Sequence, residues 1–133
     1  MSTVMTYGNA PSYNDAKTIL ASAARTATPT AIQINNLCAS GIHLVVNVTA
    51  KTATPSVIVV ISGIDPVTSV TYPILTSKAF DGTTETRVLK IFPAAIGDPD
   101  QVANDFLPKN IVISFTHGDA DSITYGCFAQ FLR

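Results

Sequence analysis

Tryptophan is absent from this chain, and its charged side chains make up 13% of the residues, about half of the usual share. Eight Lys and Arg stand against nine Asp and Glu, a formal net charge of -1, and no basic block occurs. Electrostatic capture of a nucleic-acid backbone or an anionic membrane therefore has little to work with, and neither is expected as a partner. Two cysteines, Cys38 and Cys127, are too few and too far apart for a disulfide scaffold or a Cys-x-x-Cys metal site, so both are read as reduced, buried thiols. The longest run of branched apolar residues, VIVVI at 57–61, is far short of the roughly 20 needed to span a bilayer. The first sixteen residues lack Lys, Arg and any continuous hydrophobic segment, so they do not read as a secretory signal. The expectation is a protein that stays in the cytoplasm that makes it, or in what is assembled there. Asn47-Val48-Thr49 fits the glycosylation pattern, but without a secretion signal it is read as coincidence.

What is present is β-forming sequence. The 133 residues are 47% hydrophobic, enough for one domain with its own core, and include 12 Val, 13 Ile and 17 Thr. Side chains branched at Cβ favour the extended backbone, where their preferred rotamers do not clash. In IHLVVNVTA, Ile42, Leu44, Val46, Val48 and Ala50 share one face, while His43, Asn47 and Thr49 share the other with Val45. SVIVVISGI at 56–64 is apolar on both faces, as in a strand covered on both sides. Asp65 and Pro66 suit a tight turn, and Pro73 in the returning strand, short of one N–H, points to a sheet edge. ETRVLKIF at 85–92, NIVISFTH at 110–117 and SITYGCFAQFL at 122–132 read as further strands, as do segments around Ile19 and Ile32 to Ile34.

One helix is expected, over DPDQVANDFLP at 98–108. Asp98 can cap it, Pro99 fits its first position, Val102 and Phe106 would form its apolar stripe, and Pro108 stops it. Roughly eight strands with short turns predict an all-β fold, an antiparallel β-sandwich over residues 17–133, of jelly-roll or immunoglobulin-like connectivity. Periodicity does not distinguish the two. Residues 1–16, rich in Ser, Asn, Gly and Pro around Tyr7 and Tyr13, read as an extended N-terminal arm.

The densest polar cluster is SFTHGDADSITY at 114–125. His117, Asp119 and Asp121 could suit a cation, but no Glu completes a calcium loop and no second cluster supplies further ligands. Gly118, Asp119, Asp121 and Ser122 are turn formers, so a turn is the reading, with no metal and no cofactor. No Gly-x-Ser-x-Gly elbow, phosphate-cradling loop or converging acid–base pair occurs, and His43 falls on the polar side of its strand, so no catalytic residue is assigned. On the last strand Ile123, Tyr125, Cys127, Ala129 and Phe131 form a core stripe. Phe128 and Leu132 fall on the other side, where an exposed apolar patch would mark a protein partner.

The segments TILASAARTAT (18–28), GIHLVVNVTA (41–50), ISGIDPVTSVTYPIL (61–75) and VANDFLPKNIVISFTHGDADSITYG (102–126) resemble, in this order, small virion structural proteins of tailed bacteriophages. The resemblance covers about residues 17–132, and its most specific part is ANDFLP with THGDADSITY. It implies a non-enzymatic cement or decoration protein, made in the host cytoplasm and located on the outer surface of the virion capsid. There it would bind an HK97-type major capsid protein lattice and associate with itself as a homodimer or homotrimer. Partner binding is assigned to Tyr7, Pro11 and Tyr13 of the arm and to Phe128 and Leu132. Two other readings stand beside it: a phage neck or tail component, and a soluble carbohydrate-binding β-sandwich module, which the absence of Trp weakens.

Overall fold

The computed structural model describes residues 16–36 and 38–132. Nine strands run in chain order: β1 (Ala16–Arg25), β2 (Ile32–Asn35), β3 (Gly41–Lys51), β4 (Val57–Ile64), β5 (Thr71–Thr76), β6 (Glu85–Phe92), β7 (Val102–Asn104), β8 (Asn110–His117) and β9 (Ile123–Leu132). They form two sheets, ordered β1-β9-β3-β6-β7 and β2-β8-β4-β5, packed as a β-sandwich around one core. The expected arm lies almost wholly outside the described residues.

The connectivity is nested. β4 pairs with β5, β3 with β6, β2 with β8 and β1 with β9, as if one long hairpin had been folded at residues 65–70. Rolling that hairpin brings β3 beside β9 and β4 beside β8, which closes the two sheets. The core follows from period-two alternation. Ile42, Leu44, Val46 and Val48 of β3 meet Val57, Val59 and Ile61 of β4, Ile111, Ile113 and Phe115 of β8, and Ile123, Tyr125 and Cys127 of β9, all almost fully buried.

Register defines two ends. Ala16 pairs with Gln130, Gly41 with Leu132, Asn35 with Asn110 and Gly63 with Ile111, so β1 begins and β9 finishes at one end, called proximal. Its loops are 36–40, 65–70, 93–101 and 105–109. Loops 26–31, 52–56, 77–84 and 118–122 build the distal end.

Three expectations need correction. There is no helix among the described residues, and 98–108 instead makes a turn followed by β7. Gln101 N–H donates to Asp98 C=O at 3.0 Å, and Asp100 has a φ of 70°, so Asp98-Pro99-Asp100-Gln101 closes like a type II turn. Pro99 serves such a turn as well as it would serve a helix start. The backbone of Lys90 then donates to Gln101 C=O at 2.9 Å, and Val102–Asn104 joins β6 in parallel. Second, Cys38 is exposed and only Cys127 is buried, because Cys38 falls in the proximal loop 36–40 rather than on a strand. Third, the apolar strand at 57–64 is interior to its sheet but not covered on both sides, since Ile58 remains 36% exposed. Pro73, by contrast, does lie on an edge strand, β5.

Candidate interaction surface

The cluster at 114–125 divides into a strand end and a turn. Asp121 accepts hydrogen bonds from Thr54 N–H at 3.1 Å and Thr54 Oγ1 at 3.4 Å, while Asp119 Oδ1 accepts from Asp121 N–H at 3.1 Å. Thr52 N–H donates to Ser122 C=O, and Gly118 N–H to Ser56 C=O, both at 2.8 Å. These bonds dock loop 118–122 on loop 52–56 and occupy the carboxylates in turn chemistry. Among the described residues no group of three His, Cys, Asp or Glu side chains could hold a metal ion.

The side-chain partner of His117 is neither aspartate. Its Nε2 and the Tyr125 hydroxyl share a hydrogen bond of 2.9 Å. Burial, aided by the Arg25 charge and opposed by Asp119, holds the imidazole pKa below its ordinary 6.5, which favours the neutral ring. Burial likewise pushes the Tyr125 phenol up to about 12, partly offset by Arg25, so Tyr125 remains a neutral hydrogen-bonding group. The Arg25 guanidinium lies 4.7 Å from the Tyr125 ring centroid and donates to the carbonyls of Ala21, Ala23 and Tyr125. The β1 ladder is irregular between Leu20 and Ala23, and bulged carbonyls lack ladder partners there. Arg25 satisfies that of Ala21 and, through the Tyr125 carbonyl, ties the edge strand to β9. The trio is a clasp holding β1.

The more informative surface is the outward side of the five-stranded sheet. Val45 pairs in register with both Phe128 and Val88, and Thr18 pairs with Phe128, giving a row Thr18, Phe128, Val45, Val88 across four strands. Phe128 is 39% exposed, and Val45 and Val88 are half-buried. The Phe128 ring leans over Gly126, where a Cβ would come within 3.0 Å of it; the missing side chain lets the ring lie flat along β9. One residue pair further along, His43 stands between Gln130 and Lys90. An open depression of about 330 Å3 sits where this row meets the edge, lined by Lys17, Thr18, Val45, Phe128 and Gln130 among others.

Of the residues assigned to partner binding, Phe128 and Leu132 both face outward from this sheet, each 39% exposed. They sit at different levels: Phe128 is mid-strand in the depression, whereas Leu132 pairs with Gly41 at the proximal end. Tyr7, Pro11 and Tyr13 lie outside the described residues. Sequence reading missed Val88 and the proximal-end side chains Val67, Val70, Ile96 and Phe106, all four of the latter exposed. The signal for Val45 was present, as the one apolar residue on the polar side of its strand. The signal for Val67, Val70, Ile96 and Phe106 was large apolar residues in turn-rich sequence.

No protein-family model, curated protein or solved structure matches this chain.

Proposed function

We propose that this chain is a capsid cement protein of a tailed bacteriophage, a non-catalytic jelly-roll domain on the outer surface of an HK97-type major capsid protein lattice. The observation that carries this reading is the outward row Phe128, Val45 and Val88 beside β1, the edge strand of that sheet among the described residues, a surface suited to a protein partner rather than to chemistry. The nested pairing supports the jelly-roll member of the two sandwich topologies, a fold frequent in capsid proteins. The resemblance of residues 17–132 to small phage virion proteins supports the location. β1 begins in the same sheet, since Ala16 pairs with Gln130. An arm that orders on contact adds interface without enlarging the folded body. Binding the assembled lattice but not free subunits stabilises the shell by mass action.

In this reading the arm, with Tyr7, Pro11 and Tyr13, and the β1 edge meet the capsid protein. The Phe128 surface serves a protein partner, either the capsid or a second copy in a homodimer or homotrimer. The test is copy number and position on purified particles, by gel densitometry and a cryo-electron-microscopy map. Hundreds of copies ordered over the shell are expected, and fewer on particles assembled with protein lacking residues 1–15. A handful at one vertex would make it a neck or tail component. Absence from particles would sink the virion reading.

A further inference from the structure

The outward side of the four-stranded sheet is built without charge. Its strands β2, β4, β5 and β8 contain no Lys, Arg, Asp or Glu, whereas the strands of the five-stranded sheet carry Lys17, Arg25, Lys51, Glu85, Arg87 and Lys90. Val57, Val59 and Ile61 of β4 enter the core, so Ile58, Val60 and Ser62 turn outward. Register extends them into rows: Ser62 lies between Val112 and Pro73, Val60 between Ser114 and Thr76, and Ile58 beside Thr116. Small hydroxyl residues thus alternate with Val and Ile. Asp65, Lys78, Lys109 and Asp119 stand in the loops at the rim of this face.

Two properties of this face favour a copy of itself as its partner. A contact with a different protein can retain charges that the partner complements. A contact across a twofold axis sets the residues near that axis against their own copies, where any charge would oppose its like; a charge-free face meets that condition. Hydroxyls, moreover, both donate and accept hydrogen bonds, so Ser114 and Thr76 can bond to the same residue types on a second copy, as ammonium groups or carboxylates alone cannot.

We propose that this chain forms an isologous dimer through the outward face of the four-stranded sheet. The two sheets pack face to face, with the twofold axis near the Val60–Ser114 pair at the centre of the face. Its strands have four, eight, six and eight residues. At about 3.4 Å per residue and about 4.8 Å between strands they make roughly 400 Å2 of flat sheet per copy. Two such faces fall at the small end of specific interfaces, where association is weak. The dimer covers β4 on its second side, where Ile58 is 36% exposed in the single chain. The contact does not depend on the cement reading; beside that reading, it leaves the Phe128 surface of both copies to the capsid protein.

The test is analytical ultracentrifugation of the purified full chain at about 1–100 μM, for wild type, Val60→Lys, Val60→Glu and an equimolar mixture of the two variants. Wild type passes from monomer to dimer over this range, and added salt does not weaken the dimer, since no ion pair is there to be screened. Each variant alone loses at least about tenfold in association, because like charges meet near the axis. The mixture recovers a dimer in which Lys faces Glu. Should the variants at position 60 fail to fold by circular dichroism, Thr116→Lys with Thr76→Lys places charge at exposed positions of the same face. A monomeric wild type, variants that associate as wild type does, or a mixture that stays monomeric would each overturn the proposal. No particles are involved, so a monomer here refutes the dimer alone, whereas absence from virions refutes the cement reading alone.

Discussion

The imidazole of His117 and the phenol of Tyr125 meet at 2.9 Å at the distal end, one from each sheet of the sandwich. This hydrogen bond joins β8 to β9 across the layer, and Arg25 covers it from the edge strand. Its chemistry makes the clasp sensitive to acid.

Because the folded-state pKa of His117 lies below its ordinary 6.5, the unfolded chain takes up this proton first as pH falls. The stability that neutral His117 contributes is present above pH 6.5 and is lost on going down through the interval between 6.5 and the folded value. Thermal midpoints measured from pH 8 to 5, within the usual stability optimum of about pH 5–8, should fall at the acid side. His117→Gln, which retains a partner for Tyr125, should flatten that slope. An unchanged slope would assign it elsewhere. Asp65 and Asp81 have pKa values lowered from 3.8 by hydrogen bonds, from Thr68 and Thr83 respectively, so their contribution is lost only at more acid pH.

The two thiols should separate by reactivity. Burial pushes the Cys127 pKa to about 12, whereas Cys38 is exposed. A thiol reagent such as 5,5'-dithiobis(2-nitrobenzoate) should modify one cysteine in the native protein and both after denaturation. Rapid native labelling of both would contradict the packing of β9.

Two glycines should differ in their tolerance of alanine. At Gly41 a Cβ would lie 2.6 Å from the Ile91 carbonyl oxygen, a backbone atom fixed by the β3–β6 ladder. At Gly63 it would lie 2.3 Å from Cζ of Tyr72, the far end of an exposed side chain that can swing away. Gly41→Ala is expected to destabilise by about 1–3 kcal/mol in chemical denaturation, as overpacking does. Gly63→Ala is expected to cost less, and to cost nothing further in a Tyr72→Ala background.

Asp121→Ala removes the acceptor for Thr54 and should lower stability by about 0.5–1.5 kcal/mol, the net worth of such hydrogen bonds. Elemental analysis of the purified wild-type protein should find no stoichiometric ion. A bound ion lost with Asp121 would replace the turn by a metal site.

Much of the sandwich was legible because burial on one side of a strand imposes a period of two. Ile42 to Val48 and Ile123 to Ala129 carry that signature plainly, and Pro73 marked its edge through a missing donor. The stretch 98–108 misled because Asp-Pro-Asp serves a helix start and a type II turn alike. What decides between them is the parallel seat beside Lys90, supplied by β6 from another part of the chain. Likewise, Cys38 and Ile58 have the composition of buried residues, but composition does not say on which side of a sheet the second layer lies.

The sequence by itself determined that the chain makes β-strands, which side chains of most strands enter the core, and where many of the turns fall. These depend on neighbours within a few residues, through rotamers, alternation and backbone hydrogen bonding. Only the tertiary structure decided that Phe128, Val45 and Val88 form one row, that Arg25 clasps Tyr125 and that exposed apolar loops gather at the proximal end. Those relations join residues from separate strands, and register and rolling of the nested hairpin fix them through packing of the shared core.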